Sequence, residues 1–467
     1  MQARFIALYK QAQKFEGYFL VLVFANTILF QTVLFYLGIN FVWNTVKQAI
    51  YAIAVVAYAI VSVMFIGKKI FDNEYYKPTA LKCIVIIGIA GLLICTSFIS
   101  FGISTQTIWV IGQFVLFCVP SALWGMNVGS HFNGKAIFLS IERAGIVMIP
   151  ITVMYISQAL LKASPFEHLS IGAIGYLTFG YGLLPFFYAS VINFVSNETA
   201  FASVAKLSKN KCSRIVRPVV ILLFWTGITC TTGRGAILSS LLFFGFLAVY
   251  LIIKRSMCKR IIIVGASCLA VLLAFQLLSI EPVSDRFSYV DVIDSVRSGH
   301  FSTAREEAVV SQNIDALISS DTKPTNSTSI DNPEVPEIDI SYVKAMIVDR
   351  GSLYRLAWGE ALDKPVTGLL PLGFTVKYGT YPHNVILELL SDLGLIVGGI
   401  ITLFLVLCAI QLLFLLIKGP REVAYFIAFL GGMAASLMAS GSVWNAPILC
   451  FCVCFSIAID MGQQKIA

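Results

Sequence analysis

Charge is what this chain has least of. Only 12% of its 467 residues are Asp, Glu, Lys or Arg, where a soluble domain carries about 25%. That is too few to coat a water-exposed surface, so an ordinary soluble enzyme is excluded. Histidine is scarcer still, with four in the whole chain. Cysteine is missing from residues 281–382, although eleven occur elsewhere. A disulfide framework belongs in an oxidising compartment, and the cysteines are instead read as small membrane-core residues. No metal site is expected: Cys450, Cys452 and Cys454 alternate along one apolar segment, with no His or carboxylate at ligand spacing nearby. No DxD occurs in the loops, which argues against a metal-chelating sugar-nucleotide site. No P-loop occurs, which argues against ATP as the energy source. No file of acids threads the apolar segments, as a proton-coupled transporter would need.

What the chain has is hydrophobic length. Hydrophobic residues make up 58% of it and the mean hydropathy is +0.85. Apolar runs reach 18 residues and more, enough to cross a hydrocarbon core about 30 Å thick. The expectation is an all-α polytopic membrane protein, one membrane domain over residues 1–467, with about twelve spans. These are read near 17–38, 48–66, 83–102, 108–126, 144–161, 172–194, 218–232, 236–253, 261–280, 393–417, 424–441 and 447–460. The basic N-terminal stretch runs into an apolar segment too long for a cleavable signal, so it reads as the first anchor.

Basic residues mark alternate loops. Lys68, Lys69, Lys77 and Lys82, then Lys135 and Arg143, then Lys206 to Arg217, then Lys254 to Arg260, then Lys418 and Arg421 all fall on one side. The positive-inside bias makes that side cytoplasmic, with both termini. The net charge of +8 is therefore a topology signal, and nucleic acid is not implied. The opposite side carries one large loop, 281–382, with 15 acidic and 9 basic residues. Its middle, Ser319 to Asp339, is rich in Ser, Thr, Asp and Pro and reads as disordered. Helices are expected over Ser302–Ile318 and Ser352–Leu362. Asn197 and Asn326 match the N-glycosylation pattern, which is common by chance.

Three signals could carry chemistry. Arg234 stands between two apolar spans in Thr231-Thr232-Gly233-Arg234-Gly235-Ala236, away from the basic loops. Arginine near membrane depth is costly. Gly233 and Gly235 let backbone approach a ligand, and the start of the next helix favours an anion. A snorkelling arginine on lipid phosphate is the plainer alternative. Second, Tyr381-Pro382-His383-Asn384 closes the long loop. Asn384 is an N-cap candidate, and Asn384, Glu388 and Asp392 share one helix face. Taken alone, the plainer reading of these residues is a polar helical extension above the bilayer. Third, Arg350 or Arg355 could complete a pyrophosphate clamp opposite Arg234, or simply pair within an acidic loop. Gly431, Ala435 and Ala439 form a small-residue stripe that suits close helix packing.

In order and spacing these motifs resemble the superfamily of bacterial O-antigen polymerases and O-antigen ligases. The resemblance rests on the Arg234 hairpin, on the Arg/Trp segment ending at Trp358 and followed by Pro365-Val366-Thr367-Gly368, and on Tyr381-Pro382-His383-Asn384 with Leu387-Glu388 and Gly394. It covers roughly residues 218–400. The family usually has Ser where Gly233 stands. Its loop arginine sits four residues before the Trp, whereas Arg355 sits three before, so Arg350 and Arg355 both stay open.

The resemblance implies an inner-membrane glycosyltransferase working on the periplasmic face, without metal, nucleotide or other cofactor. Its donor would be an oligosaccharide on undecaprenyl pyrophosphate. Its acceptor would be another lipid-linked repeat or the lipid A core, and membrane lipids and a chain-length regulator are further partners. Arg234 with Arg355 or Arg350 would hold the pyrophosphate, where charge grows on the leaving group. His383 would take the acceptor proton, and Asn384 or Glu388 would support it or bind acceptor. Polymerase is favoured over ligase, and a polysaccharide flippase is the alternative of another class.

Overall fold

The computed structural model describes residues 16–37, 45–71, 77–102, 105–161, 170–171, 174–196, 212–231, 234–254, 259–277, 350–378, 380–437 and 441–459. The expected helix at Ser302–Ile318, the stretch Ser319–Asp339, Asn197, Asn326 and Gly233 lie outside these residues, as do the side chains of Arg234 and Arg350.

Helices carry nearly all of the described chain. They run α1 Glu16–Tyr36, α2 Thr45–Phe71, α3 Lys77–Phe101, α4 Thr105–Gln113, α5 Val119–Ser130, α6 Gly134–Gly145, α7 Ile149–Leu161, α8 Tyr176–Ser196, α9 Cys212–Cys230, α10 Arg234–Ile253, α11 Lys259–Leu277, α12 Arg350–Asp363, α13 Gly373–Tyr378, α14 Val385–Lys418, α15 Arg421–Ala435 and α16 Pro447–Ala458. A π turn, Phe114–Cys118, joins α4 to α5 without a break. One two-residue antiparallel ladder pairs Ser170–Ile171 with Ile174–Gly175. Each of the twelve segments read as spans overlaps described helix over part of its length. Among the described residues, eight stretches are long and apolar enough to cross a membrane: Glu16–Tyr36, Ala52–Lys69, Leu81–Phe101, Val110–Ser130, Gly134–Leu161, Leu177–Ser196, Gly235–Ile253 and Val385–Lys418. Val216–Cys230 and Pro447–Ala458 are apolar but shorter.

Many large apolar side chains lie exposed on the outside of the described helices. Ile396, Ile400, Leu403, Leu407 and Ile410 all lie exposed along α14, a stripe that makes sense only against lipid. Inside, aromatic residues fill the space between helices. Tyr188 stacks on Phe243 at 4.1 Å between centroids, Phe187 on Trp225 at 5.5 Å, and Phe24 meets both Phe429 and Phe451 edge-on. Glycine supplies the close approaches. A Cβ on Gly125 of α5 would overlap the carbonyl of Phe451 in α16, and one on Gly431 would stand 2.5 Å from the Phe246 ring. Of the small-residue stripe, Gly431 is thus a packing position, while Ala439 lies outside the described residues.

Two ion pairs sit deeper than the charge pattern suggests. Lys69 and Arg217 read as loop cations, yet both are buried. Arg217 grips Glu142 of α6 with two nitrogens, at 2.7 and 3.1 Å, while Asn193 of α8 donates to the same carboxylate at 2.8 Å. Lys69 reaches Glu16 of α1 at 3.4 Å and Asn127 of α5 at 2.9 Å. Both clusters lie at the end of the bundle opposite α12 and α13. Bidentate geometry and the extra amide satisfy the charges that burial would otherwise penalise.

Candidate active site

The site is built around a helix that breaks. α14 starts at Val385, capped by the Asn384 side chain, whose oxygen accepts from the N–H groups of Ile386 and Leu387 at 3.0 and 3.1 Å. Just before the cap, His383 takes a left-handed conformation, φ 56°. That turn folds its ring back onto Tyr381, with 4.3 Å between ring centroids. Two turns further on, Gly394 breaks the helix at φ 76°. The break releases backbone groups, and Pro365-Val366-Thr367-Gly368 takes them up. Ile396 N–H donates to the Pro365 carbonyl at 3.1 Å, and Leu369 N–H to the Ser391 carbonyl at 2.8 Å. Gly368 is itself left-handed at φ 60° and packs backbone against backbone on Asp392–Gly394. The PVTG stretch and Gly394 are one interlocked unit.

Glu388 and Asp392 lie one turn apart on the inner face of this short helical piece, both buried. Glu388 accepts from the Ser442 hydroxyl at 2.8 Å and the Val443 N–H at 2.7 Å. Asp392 accepts from the N–H groups of Leu372 and Phe374 at 3.1 and 2.8 Å and from the Trp444 indole at 3.2 Å. The loop it holds is strained, because Leu370 and Leu372 both have positive φ, 71° and 73°. Such conformations persist only where surroundings over-determine them, commonly at functional sites. The two carboxylates therefore fasten segments 370–374 and 442–445 to one helix.

The second of these segments lines a cavity of about 370 Å³, and Thr375, just past the first, lines it too. Thr375 and Tyr381 border it from one side, Ser442, Trp444 and Asn445 from another, Gln113 and Val110 of α4 from a third, and Tyr181 of α8 from the last. Gln113 is delivered by the π turn that follows it, a distortion frequent at functional sites. Tyr181 connects the cavity to the Arg234 hairpin. A Cβ on Gly235 would overlap its hydroxyl, and one residue earlier Gly180 packs on the side chain of Thr231. Gly235 needs no side chain because the Tyr181 phenol occupies that space.

The expected site residues divide accordingly. His383 and Asn384 are half-buried at the start of α14, close to the cavity through Tyr381. Glu388 is fully enclosed, with both oxygens engaged. It supports the site through Ser442 and Val443. Gly235 follows Arg234, whose backbone opens α10. Arg350 opens α12. Arg355, on the same helix, is exposed, and its Nε donates to the Gly351 carbonyl at 3.4 Å. It is not among the described residues lining the cavity. Gln113, Tyr181, Ser442, Trp444 and Asn445 escaped the sequence reading. Gln113, a lone amide in an apolar run, is the one signal that could have pointed here.

α12 is anchored beside the site by a small core of Leu353, Ala357, Leu369 and Phe374, with Leu387 of α14 packed against it. At its C-terminal end Glu360 accepts from Lys377 at 2.6 Å and from the Tyr378 hydroxyl. Burial pushes the Glu360 carboxyl up, but Lys377 and Tyr378 together outweigh it, and the group stays below the usual carboxylate range. A depressed value stabilises the fold above the unfolded value of about 4.3 and loses that contribution as pH falls through the folded one. Glu360→Gln is accordingly expected to lower the thermal midpoint at neutral pH and to match the wild type in strong acid. A difference independent of pH would assign Glu360 a packing role only.

No protein-family model matches this chain. No curated protein matches it either.

Proposed function

We propose that the chain is a glycosyltransferase of surface-polysaccharide assembly, foremost a polymerase of lipid-linked repeats, with twelve spans, cytoplasmic termini and its site on the periplasmic face of a bacterial inner membrane. One observation carries the reading. A single cavity is bordered by Tyr181, which packs on the residue after Arg234, and by Tyr381, which packs on His383. The backbone after Arg234 and the ring of His383 each adjoin a residue of that cavity wall, which supports a shared site. Arg234 at the start of α10, with Arg350 or Arg355 from α12, holds the pyrophosphate of the donor. Fixed cationic donors stabilise the charge that develops as the glycosyl–phosphate bond breaks. His383 accepts the proton of the attacking hydroxyl, and single displacement inverts the anomeric centre. No metal, nucleotide or other cofactor takes part in this scheme.

The test is the lipopolysaccharide ladder of a strain lacking the protein. Loss of long chains with a single repeat retained is the polymerase outcome. Loss of all core-attached repeats with lipid-linked polymer accumulating is the ligase outcome, and lipid-linked units trapped inside are the flippase outcome. A normal ladder removes the proposal. Complementation then addresses the clamp. Arg234→Lys keeps the charge but loses the planar fork that suits phosphate oxygens, so it is expected to leave the ladder short. A snorkelling arginine would tolerate lysine, and full-length chains in that variant would reject the clamp.

A further inference from the structure

The cavity beside the Arg234 hairpin has a chemical character of its own. Among its described lining residues none is Lys, Arg, Asp, Glu or His. Its lining is mainly apolar, with the aromatic residues Tyr181, Tyr381 and Trp444, and its polar members are hydroxyl residues and the amide residues Gln113 and Asn445. Its volume of about 370 Å³ is within the range of small-molecule sites, about 300–1,000 Å³. The side-chain amides of half-buried Gln113 and exposed Asn445 have no protein hydrogen-bond partner among the described residues. The Ser442 hydroxyl, by contrast, is committed to Glu388, so the wall that carries Asn445 is held in place.

We infer that this cavity is a subsite for an uncharged pyranose unit of a glycan, its ring against the tyrosine faces and its hydroxyls on Gln113 and Asn445. A pyranose has just these two aspects, an apolar C–H face and a rim of hydroxyls that each donate and accept. Aromatic rings serve the face, and an amide, which also donates and accepts, serves the rim. An anionic sugar would have to shed its hydration among neutral groups, at a cost that no described lining residue offsets. The inference rests on the transferase reading of the same site and sharpens it. The pyrophosphate and the sugar occupy different places, the anion at the start of α10 and the ring in the neutral cavity between Tyr181 and Tyr381. A donor sugar and an acceptor sugar share this chemistry.

The experiment is saturation-transfer NMR on the full-length protein in detergent, with neutral methyl hexosides and methyl N-acetylhexosaminides at millimolar concentration. Methyl uronates serve as the charged comparison, and inorganic pyrophosphate is titrated separately. Saturation transfer to neutral glycosides, and weaker transfer to uronates, is expected. Gln113→Ala and Asn445→Ala should each weaken glycoside binding by about five-fold, the value of roughly one hydrogen bond, with pyrophosphate binding unchanged. Thermal midpoints equal to wild type exclude misfolding, and Asn445→Gln, which keeps the amide, should bind better than the alanine variant. Tighter binding of a hexose 1-phosphate than of the methyl hexoside assigns the subsite to the donor, and equal binding assigns it to the acceptor. No transfer to any neutral glycoside, equal transfer to uronates, or folded alanine variants that bind like wild type would each overturn the inference. Glycoside binding by a protein whose deletion leaves a normal ladder would keep the subsite and remove the transferase reading alone.

Discussion

Asp392→Ala is expected to lower the thermal midpoint in detergent by on the order of 10 °C, if the protein accumulates at all. The carboxylate is buried and accepts three hydrogen bonds, from Leu372 N–H, Phe374 N–H and the Trp444 indole. Removing it leaves three enclosed donors unmet, each at about 1–3 kcal/mol, while a kcal/mol moves the midpoint of a large domain by about 2–4 °C. Relaxed strain offsets part of the loss. The left-handed Leu370 and Leu372 are held in a conformation that costs about 1–3 kcal/mol apiece, and the carboxylate is what holds Leu372 there. Two variants apportion the effect. Trp444→Phe deletes one donor and should cost a fraction of the total. Asp392→Asn keeps one accepting oxygen and should fall between the wild type and alanine. An alanine variant with a wild-type midpoint would show that water or other groups satisfy those donors.

The second large effect belongs to Gly368→Ala and Gly394→Ala. A Cβ on Gly368 would stand 2.5 Å from the carbonyl oxygen of Asp392, and one on Gly394 would stand 2.7 Å from that of Pro365. Both clashes are with backbone, which no rotamer change relieves. Both residues also have positive φ, 60° and 76°, where a side chain adds roughly 1–2 kcal/mol. Each substitution should prise the PVTG loop from the break in α14 and strip the cavity of its supports, with loss of folded protein from the membrane. Gly88→Ala is the control, since nothing lies within 4 Å of its added methyl. Normal amounts of stable protein from either site variant would mean that loop and helix are not interlocked as described.

The helices were legible because lipid makes the rule simple: an apolar run long enough to cross must satisfy its own backbone, so it is helical. The cap at Asn384 was legible for a similarly local reason. The face shared by Asn384, Glu388 and Asp392 was visible in the sequence as well, but not its direction. The partners that turn Glu388 and Asp392 inward are Ser442, Val443 and Trp444, 52 to 55 residues away, and periodicity carries no information about them. Gly394 could be read as a motif residue, whereas its left-handed geometry depends on Pro365 arriving to take up the released N–H. Lys69 and Arg217 misled for the opposite reason. Position in the charge pattern placed them in loops, while their burial depends on Glu16 and Glu142 from other helices.

The groove that Gly125 and Gly129 cut into α5 has a consequence for the timing of synthesis. Its occupant is α16, with Phe451, Phe455 and Ala458 seated on those two glycines. The Cys118 thiol near its top donates to the carbonyl of Trp444, 326 residues further along the chain. A ribosome therefore delivers the groove into the membrane long before it makes the helix that fills it. Through that interval the slot lacks the helix that fills it. The wall bearing Ser442 and Asn445 reaches its place on the same occasion, just ahead of α16. In this sense the cavity is among the last parts of the bundle to be completed, finished only when the strip of glycine receives its helix.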